Sequence, residues 1–344
     1  MSAAATEAQQ APAATTHEHP LLSVQGLTVS FPSSAGPATA LDGVSFDLMR
    51  GETLALVGES GSGKSLTALA VMGLLPPGAT VDGGRVMLEG KNLIGLPAAA
   101  MNDVRGVRIG MVFQEPMTSL NPVLTIGRQL TEGLEVHRRF SPAQARARAT
   151  ELLTLVGIAD AAGRLRGYPH QLSGGMRQRV MIAMAVACEP SLIIADEPTT
   201  ALDVSIQAQV LDLLLDLRQR LGTAVLLITH DLGVVAEMAD RIAVLYAGHV
   251  VEVAGAEELF DAPRHPYTEG LLAAVPRLDE LIADSGRHLR LTELPGGVPG
   301  ITARPRGCPF TPRCPLATPR CAETMPPMTQ ISPSRMVACW ERAP

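Results

Sequence analysis

The chain has 344 residues, 46% of them hydrophobic but only 3% aromatic, enough for one large domain plus a smaller one with a core of Leu, Val, Ile, Ala and Met. A net charge of −6 without any basic cluster argues against a nucleic-acid partner. No apolar run reaches the ~18 residues that span a bilayer.

Residues 1–20, rich in Ala, Pro and Thr, lack a basic start and an apolar stretch. They are read as a disordered leader rather than a signal peptide, which predicts a cytoplasmic protein. Residues 21–57 alternate short β-like runs with Gly, Pro and Ser turns: LLSVQGLTVSF, GVSFDL and ETLALVG. GKSLTALAVMGLL has helical spacing and stops before PPG. RVMLEG and RIGMVFQ read as strands. From about 115 to 188 the pattern is helical, and one helix opens with Ser141 as N-cap and Pro142 in first position. SLIIADE and AVLLITH are continuous apolar runs, the mark of parallel strands covered on both faces, and the helix VSIQAQVLDLLLDLRQRLG separates them. RIAVLYAGHVVEVAG closes the α/β domain of residues 21–262 as a hairpin. Residues 263–344 turn rich in Pro, Arg and Cys and are expected to form a separate module.

GESGSGKS, Gly58 to Ser65, follows an apolar strand and opens a helix, the setting a phosphate loop of the Walker A type requires. Its glycines let backbone N–H groups surround phosphate oxygens. Lys64, one of only two lysines, would neutralise them, and Ser65 would ligate Mg²⁺. Asp196 ends the strand LIIAD, where it can hold the Mg²⁺ shell, and Glu197 beside it can polarise a water. Such an acidic pair is by itself more often a cap or a turn; next to a phosphate loop the catalytic reading prevails. LSGGMRQR, Leu172 to Arg179, is a second anion-binding turn far along the chain.

GESGSGKS, FQEP, LSGGMRQR, LIIADEP, TALD and ITHD, in that order, resemble an ABC-type ATPase over about 240 residues. The resemblance implies a RecA-like α/β core of the P-loop NTPase class with an antiparallel β subdomain and a helical subdomain. It implies that Gly58, Ser60, Gly61, Gly63, Lys64, Ser65 and Leu66 hold ATP, and that Ser65, Gln114 and Asp196 hold Mg²⁺. Ser173, Gly174 and Gly175 would touch the γ-phosphate on the opposite subunit; Met176 stands where the family usually has Gln. Phe31 resembles the aromatic stacked on adenine, or is an ordinary strand residue. Asp203 resembles the aspartate of the subunit boundary, and is a helix N-cap in either case. Glu197, His230 and Gln114 are the expected catalytic set; alone, His230 would read as a turn residue.

VFQEPMTSLNPVLTIGRQL, YPHQLSGGMRQRVMIAMAVACEP and RHPYTEGLLAAVP are similar to the ATPase subunits of oligopeptide/dipeptide permeases, including nickel importers. That branch implies a second related ATPase, two membrane-spanning permeases, an extracytoplasmic solute-binding protein, and a place on the cytoplasmic face of the membrane. A soluble ABC ATPase outside transport is the alternative; such relatives commonly carry two units, a long coiled coil or basic segments, which this chain lacks. The tail spacing Cys308-x₅-Cys314-x₆-Cys321-x₁₇-Cys339 is not that of a zinc ribbon. Disulfides are disfavoured in a reducing compartment. A 4Fe-4S cluster, which the resemblance also suggests, zinc, or free thiols remain, and Cys188 is expected to be a buried free cysteine.

Overall fold

The computed structural model describes residues 19–115, 119–200, 202–274 and 294–343. Apart from His19 and Pro20, the expected leader lies outside the described residues.

A four-stranded antiparallel sheet, in order β2-β1-β4-β5, is built from β1 (Leu22–Phe31), β2 (Ala38–Leu48), β4 (Thr80–Leu88) and β5 (Lys91–Asn92). The larger sheet runs β11-β12-β10-β9-β3-β8-β7-β6. At its centre β9 (Arg241–Tyr246), β3 (Thr53–Val57), β8 (Ala224–Ile228), β7 (Leu192–Asp196) and β6 (Ile109–Val112) are parallel. Every residue of β3, β7 and β8 is buried, as their unbroken apolar runs predict. The helix after β3, Lys64–Met72, ends earlier than its spacing predicts. Gly73 takes φ 62° and its N–H caps the last turn, so Leu74 already lies outside the helix.

The helices Ile126–Arg138, Pro142–Leu155 and Gly174–Val186 share a core of Leu130, Leu134, Leu152, Leu153, Val180 and Met181. Ser141 caps its helix with Pro142 in the first turn, as the local sequence predicts, and Gln144 adds a reciprocal capping box.

The C-terminal extension is not set apart from the ATPase. β12 (Arg335–Val337) pairs antiparallel with β10 (His249–Gly255), joining Val337 to Glu252, and β11 (Thr329–Ser332) adds the edge. Phe310 packs against Tyr246 and Tyr267, with ring centroids 5.2 and 5.4 Å away. Cys308, Phe310 and Cys321 thus share a core with Ala55 and Val57 of the central sheet. The physical reason is that this tail has few apolar side chains of its own, and β10 presents an open edge that another strand can satisfy.

His265 couples the two parts. Its ring Nδ1 accepts from Tyr267 N at 3.0 Å and so caps the helix Pro266–Ala273, and the ring also bonds to the Ala338 backbone. Burial lowers its pKa to about 3. The unfolded chain takes up this proton near pH 6.5, whereas the folded one does not until about pH 3. Stability contributed by neutral His265 is therefore full above pH 6.5 and declines as pH falls, by at most about 1.4 kcal/mol per pH unit from this group. Urea titrations between pH 7.5 and 4.5 should show a shallower decline for His265→Asn, which can still cap but does not titrate. Identical slopes would refute the assignment.

Candidate active site

β3 leads straight into the loop Gly58–Gly63 and the helix Lys64–Met72. The loop is tightly seated. A Cβ on Gly58 would lie 2.1 Å from Leu245 O, and one on Gly63 would lie 2.6 Å from Leu41 Cδ2, at φ 150° and 109°. Lys64 Nζ donates back to Gly58 O at 2.8 Å and Glu59 O at 3.0 Å, which holds the ammonium over the loop. Burial lowers its pKa, opposed by the carboxylates of Glu197, Asp196 and Glu59. A cleft of about 360 Å³ opens here, lined by Phe31, Ser60, Gly61, Gly63, Lys64, Ser65, Leu66, Gln114 and Glu197, with Ala40, Ile301 and Arg304.

Ser65 Oγ donates to Asp196 Oδ1 at 3.0 Å. Burial raises the Asp196 pKa, so a bound cation would stabilise its charged form. Two hard oxygen donors side by side fit Mg²⁺. Glu197 follows in a left-handed conformation, φ 47°, which turns its side chain away from the line of the strand. Its Oε1 is 3.0 Å from His230 Nδ1, and its Oε2 accepts from Gln114 Nε2 and Thr200 Oγ1, both at 2.9 Å. Burial pushes the Glu197 pKa up, but the contacts from His230 and Thr200 and the charge of Lys64 outweigh it, so the carboxyl lies below its usual range. Glu197 is therefore ionised at neutral pH and faces the same cleft as Lys64.

The other expected site residues lie elsewhere. Ser173 caps the helix Gly174–Val186 through Met176 N, and a Cβ on Gly175 would come 2.7 Å from Ile206. Asp203 caps the helix Val204–Leu221 through Ile206 N at 3.0 Å. None of Ser173, Gly174, Gly175 or Asp203 lines the cleft that holds Lys64. Thr200 was not singled out from sequence, though it lies only three residues beyond Glu197.

The extension also reaches the phosphate loop. Arg313 Nη2 lies 3.0 Å from Glu59 Oε1, and its Nη1 bonds Glu59 Oε2 at 3.1 Å and Tyr246 Oη at 3.3 Å. Glu59 N donates to Tyr267 Oη at 2.8 Å. Sequence reading missed this clamp, because it joins residues 254 apart.

The ABC transporter domain family matches residues 41–200, and the C-terminal region of oligopeptide/dipeptide transporters matches residues 251–321. The dipeptide transport ATP-binding protein DppD of Bacillus subtilis is 51% identical over 321 residues, which are 93% of this chain and 94% of that protein. The chain belongs to the oligopeptide/dipeptide family of ABC transporter ATPases. A probable peptide ABC transporter ATP-binding protein of Sinorhizobium fredii, y4tR, is 52% identical over 93% of this chain and 94% of its own length. Among solved structures, the dimeric post-hydrolysis state of the ATP-binding cassette MJ0796 bound to ADP and Pi has a TM-score of 0.62 at 30% identity. It covers 68% of this chain and 98% of that one. As an ABC ATPase, the chain binds ATP with Mg²⁺ and hydrolyses it. Among the described residues no helix is long and apolar enough to cross a membrane.

The expected metal centre is not supported. Cys308, Cys314, Cys321 and Cys339 line one small cavity, all as free thiols. Among the described residues, however, no group of three or more His, Cys, Asp or Glu side chains is placed to hold a metal ion, whether as a 4Fe-4S cluster or as zinc. Burial pushes Cys308 up to about 11 and raises Cys314 and Cys339, so the free thiols are neutral. Cys188 is buried and free, as expected.

Arg313→Ala should cost about 2 kcal/mol of stability and weaken ATP binding several-fold, because it leaves Glu59 without its cation. Chemical denaturation and nucleotide titration would measure both. Unchanged affinity in a folded variant would mean that the clamp does not govern the loop.

Proposed function

We propose that this chain is the ATP-hydrolysing subunit that powers peptide import through a membrane permease. The observation that carries the hydrolytic part is the ionised Glu197 carboxylate, ringed by Gln114, Thr200 and His230, at the cleft of Lys64 and Ser65. In this reading Glu197 accepts the proton of the attacking water and His230 orients the γ-phosphate end. Lys64 and the loop N–H groups hold the phosphates. Ser65, Asp196 and Gln114 hold Mg²⁺, which would offset phosphate charge. Phe31 takes the adenine face.

The working unit in this reading is a head-to-tail pair of ATPase subunits, the second one related to this chain. Ser173, Gly174 and Gly175, off the cleft of their own chain, supply donors to the partner's γ-phosphate, and Asp203 lies at the subunit boundary. Closure on two ATP molecules draws the helical subdomains together and moves two permeases; hydrolysis then lets the pair reopen. The permeases place this subunit at the cytoplasmic face of the membrane, and an extracytoplasmic binding protein delivers peptide. The relatives' own assignment to peptide and dipeptide transport supports peptide as the solute. The division into an ATPase of residues 21–262, with a helical part near 115–188, and an extension of residues 263–344 follows the same scheme.

In the assembled transporter, Glu197→Gln should retain ATP binding yet lose on the order of 10²-fold or more in turnover, because the amide cannot take the proton. A normal ATPase rate would sink the assignment. In a mixed complex, Ser173→Arg should silence the site whose Lys64 belongs to the other subunit. Impairment confined to the mutated chain's own phosphate loop would refute the shared site.

A further inference from the structure

One wall of the nucleotide cleft comes from no nucleotide motif. Ile301 and Arg304 of the C-terminal extension line it beside Phe31, Ala40 and the phosphate loop. Arg304 Nη2 donates to Ala40 O at 2.8 Å. Ala40 lies two residues beyond Ala38, the register partner of Phe31, at a bulge in the β1–β2 ladder, and it lines the cleft together with Phe31. Arg304 is thus fastened at the Phe31 end of the cleft. Gly248 leaves room for it: a Cβ there would come 2.9 Å from both Nη atoms, and 2.2 Å from Ala40 O.

The guanidinium is poorly compensated. Its Nε and Nη1 are buried and bond to nothing. Asp42 acts on it electrostatically but is an ion-pair neighbour of His249 at 3.8 Å, and burial still lowers the Arg304 pKa. A desolvated cation held by one carbonyl is costly unless something electron-rich completes its surroundings. The phosphate end of the cleft already has Lys64. The end where Arg304 stands faces the position of the base, and a guanidinium stacks well on the π face of a heterocycle.

We propose that Arg304 is a nucleoside-binding residue, its guanidinium closing on the purine base of the bound nucleotide opposite Phe31, so that the extension supplies in cis one wall of the nucleotide site. The inference rests on the cleft of Lys64 being the ATP site. It gives the extension a role in nucleotide binding that is independent of the cysteines.

Calorimetric titration of the full chain with ATP, ADP and inorganic tripolyphosphate tests it. Arg304→Ala should weaken ATP and ADP about tenfold and leave tripolyphosphate unchanged, because only the base contact is lost. Arg304→Lys, which keeps the charge but not the planar face, should show the same selectivity at smaller amplitude and covers the case in which the alanine variant fails to fold. Equal losses for all three ligands, or no loss for any, would overturn the proposal. Lys64→Ala is run in parallel: if it left ATP binding intact, the ATP-site reading itself would fall, whatever Arg304 does.

Discussion

Three buried parallel strands side by side are the constraint on which the rest of this molecule depends. β3, β8 and β7 are neighbours in that order, with Leu56 opposite Ile228 and Ile228 opposite Asp196. Because the register is level, their carboxyl ends deliver the phosphate loop, His230 and the Asp196–Glu197 pair to one edge. Burial of Leu, Ile, Val and Ala on both faces drives the pairing, and the chemistry sits where the apolar runs stop. Glu197 shows the local cost. Its left-handed backbone is unfavourable by about 1–3 kcal/mol for a non-glycine residue. It is held by a backbone bond to Ile228 O at 2.8 Å and by three side chains on its carboxylate.

The second feature is that the phosphate loop is braced from outside the ATPase core. Tyr267 fixes the backbone N–H of Glu59, Arg313 fixes its carboxylate, and both belong to the extension. Tyr246, Tyr267 and Phe310 form an aromatic block beneath that contact, in a chain otherwise poor in aromatics. These rings bury large areas at few positions, which lets a tail rich in Pro and Arg dock without a core of its own. Loop position and tail docking are consequently one mechanical unit, and His265 sits at their joint.

Local patterns were sufficient wherever the cause is local. Unbroken apolar runs gave away β3, β7 and β8; Ser141 and Pro142 marked a helix start; GESGSGKS announced its own loop; and Asp196 and Glu197 were legible because a strand end places them. The helix Lys64–Met72 ended early because Gly73 could adopt a left-handed cap, a choice that spacing alone does not reveal. The tail misled for a related reason. Its composition suggested a separate module stapled by metal, yet its strand β12 and its aromatic anchor found partners more than fifty residues away.

By itself, then, the sequence determined the ATPase class and the phosphate loop, and it marked Asp196 and Glu197 as the candidate magnesium ligand and catalytic carboxylate, since each depends on a few consecutive residues with a distinctive backbone need. Tertiary structure alone decided that Thr200 joins His230 and Gln114 on Glu197, that Arg313 grips Glu59, and that Arg304 lines the cleft of Lys64. Two of the three are cations of the tail whose partners are set by where β12 docks, and an arginine carries no local signal of the carboxylate or carbonyl it will meet across the fold.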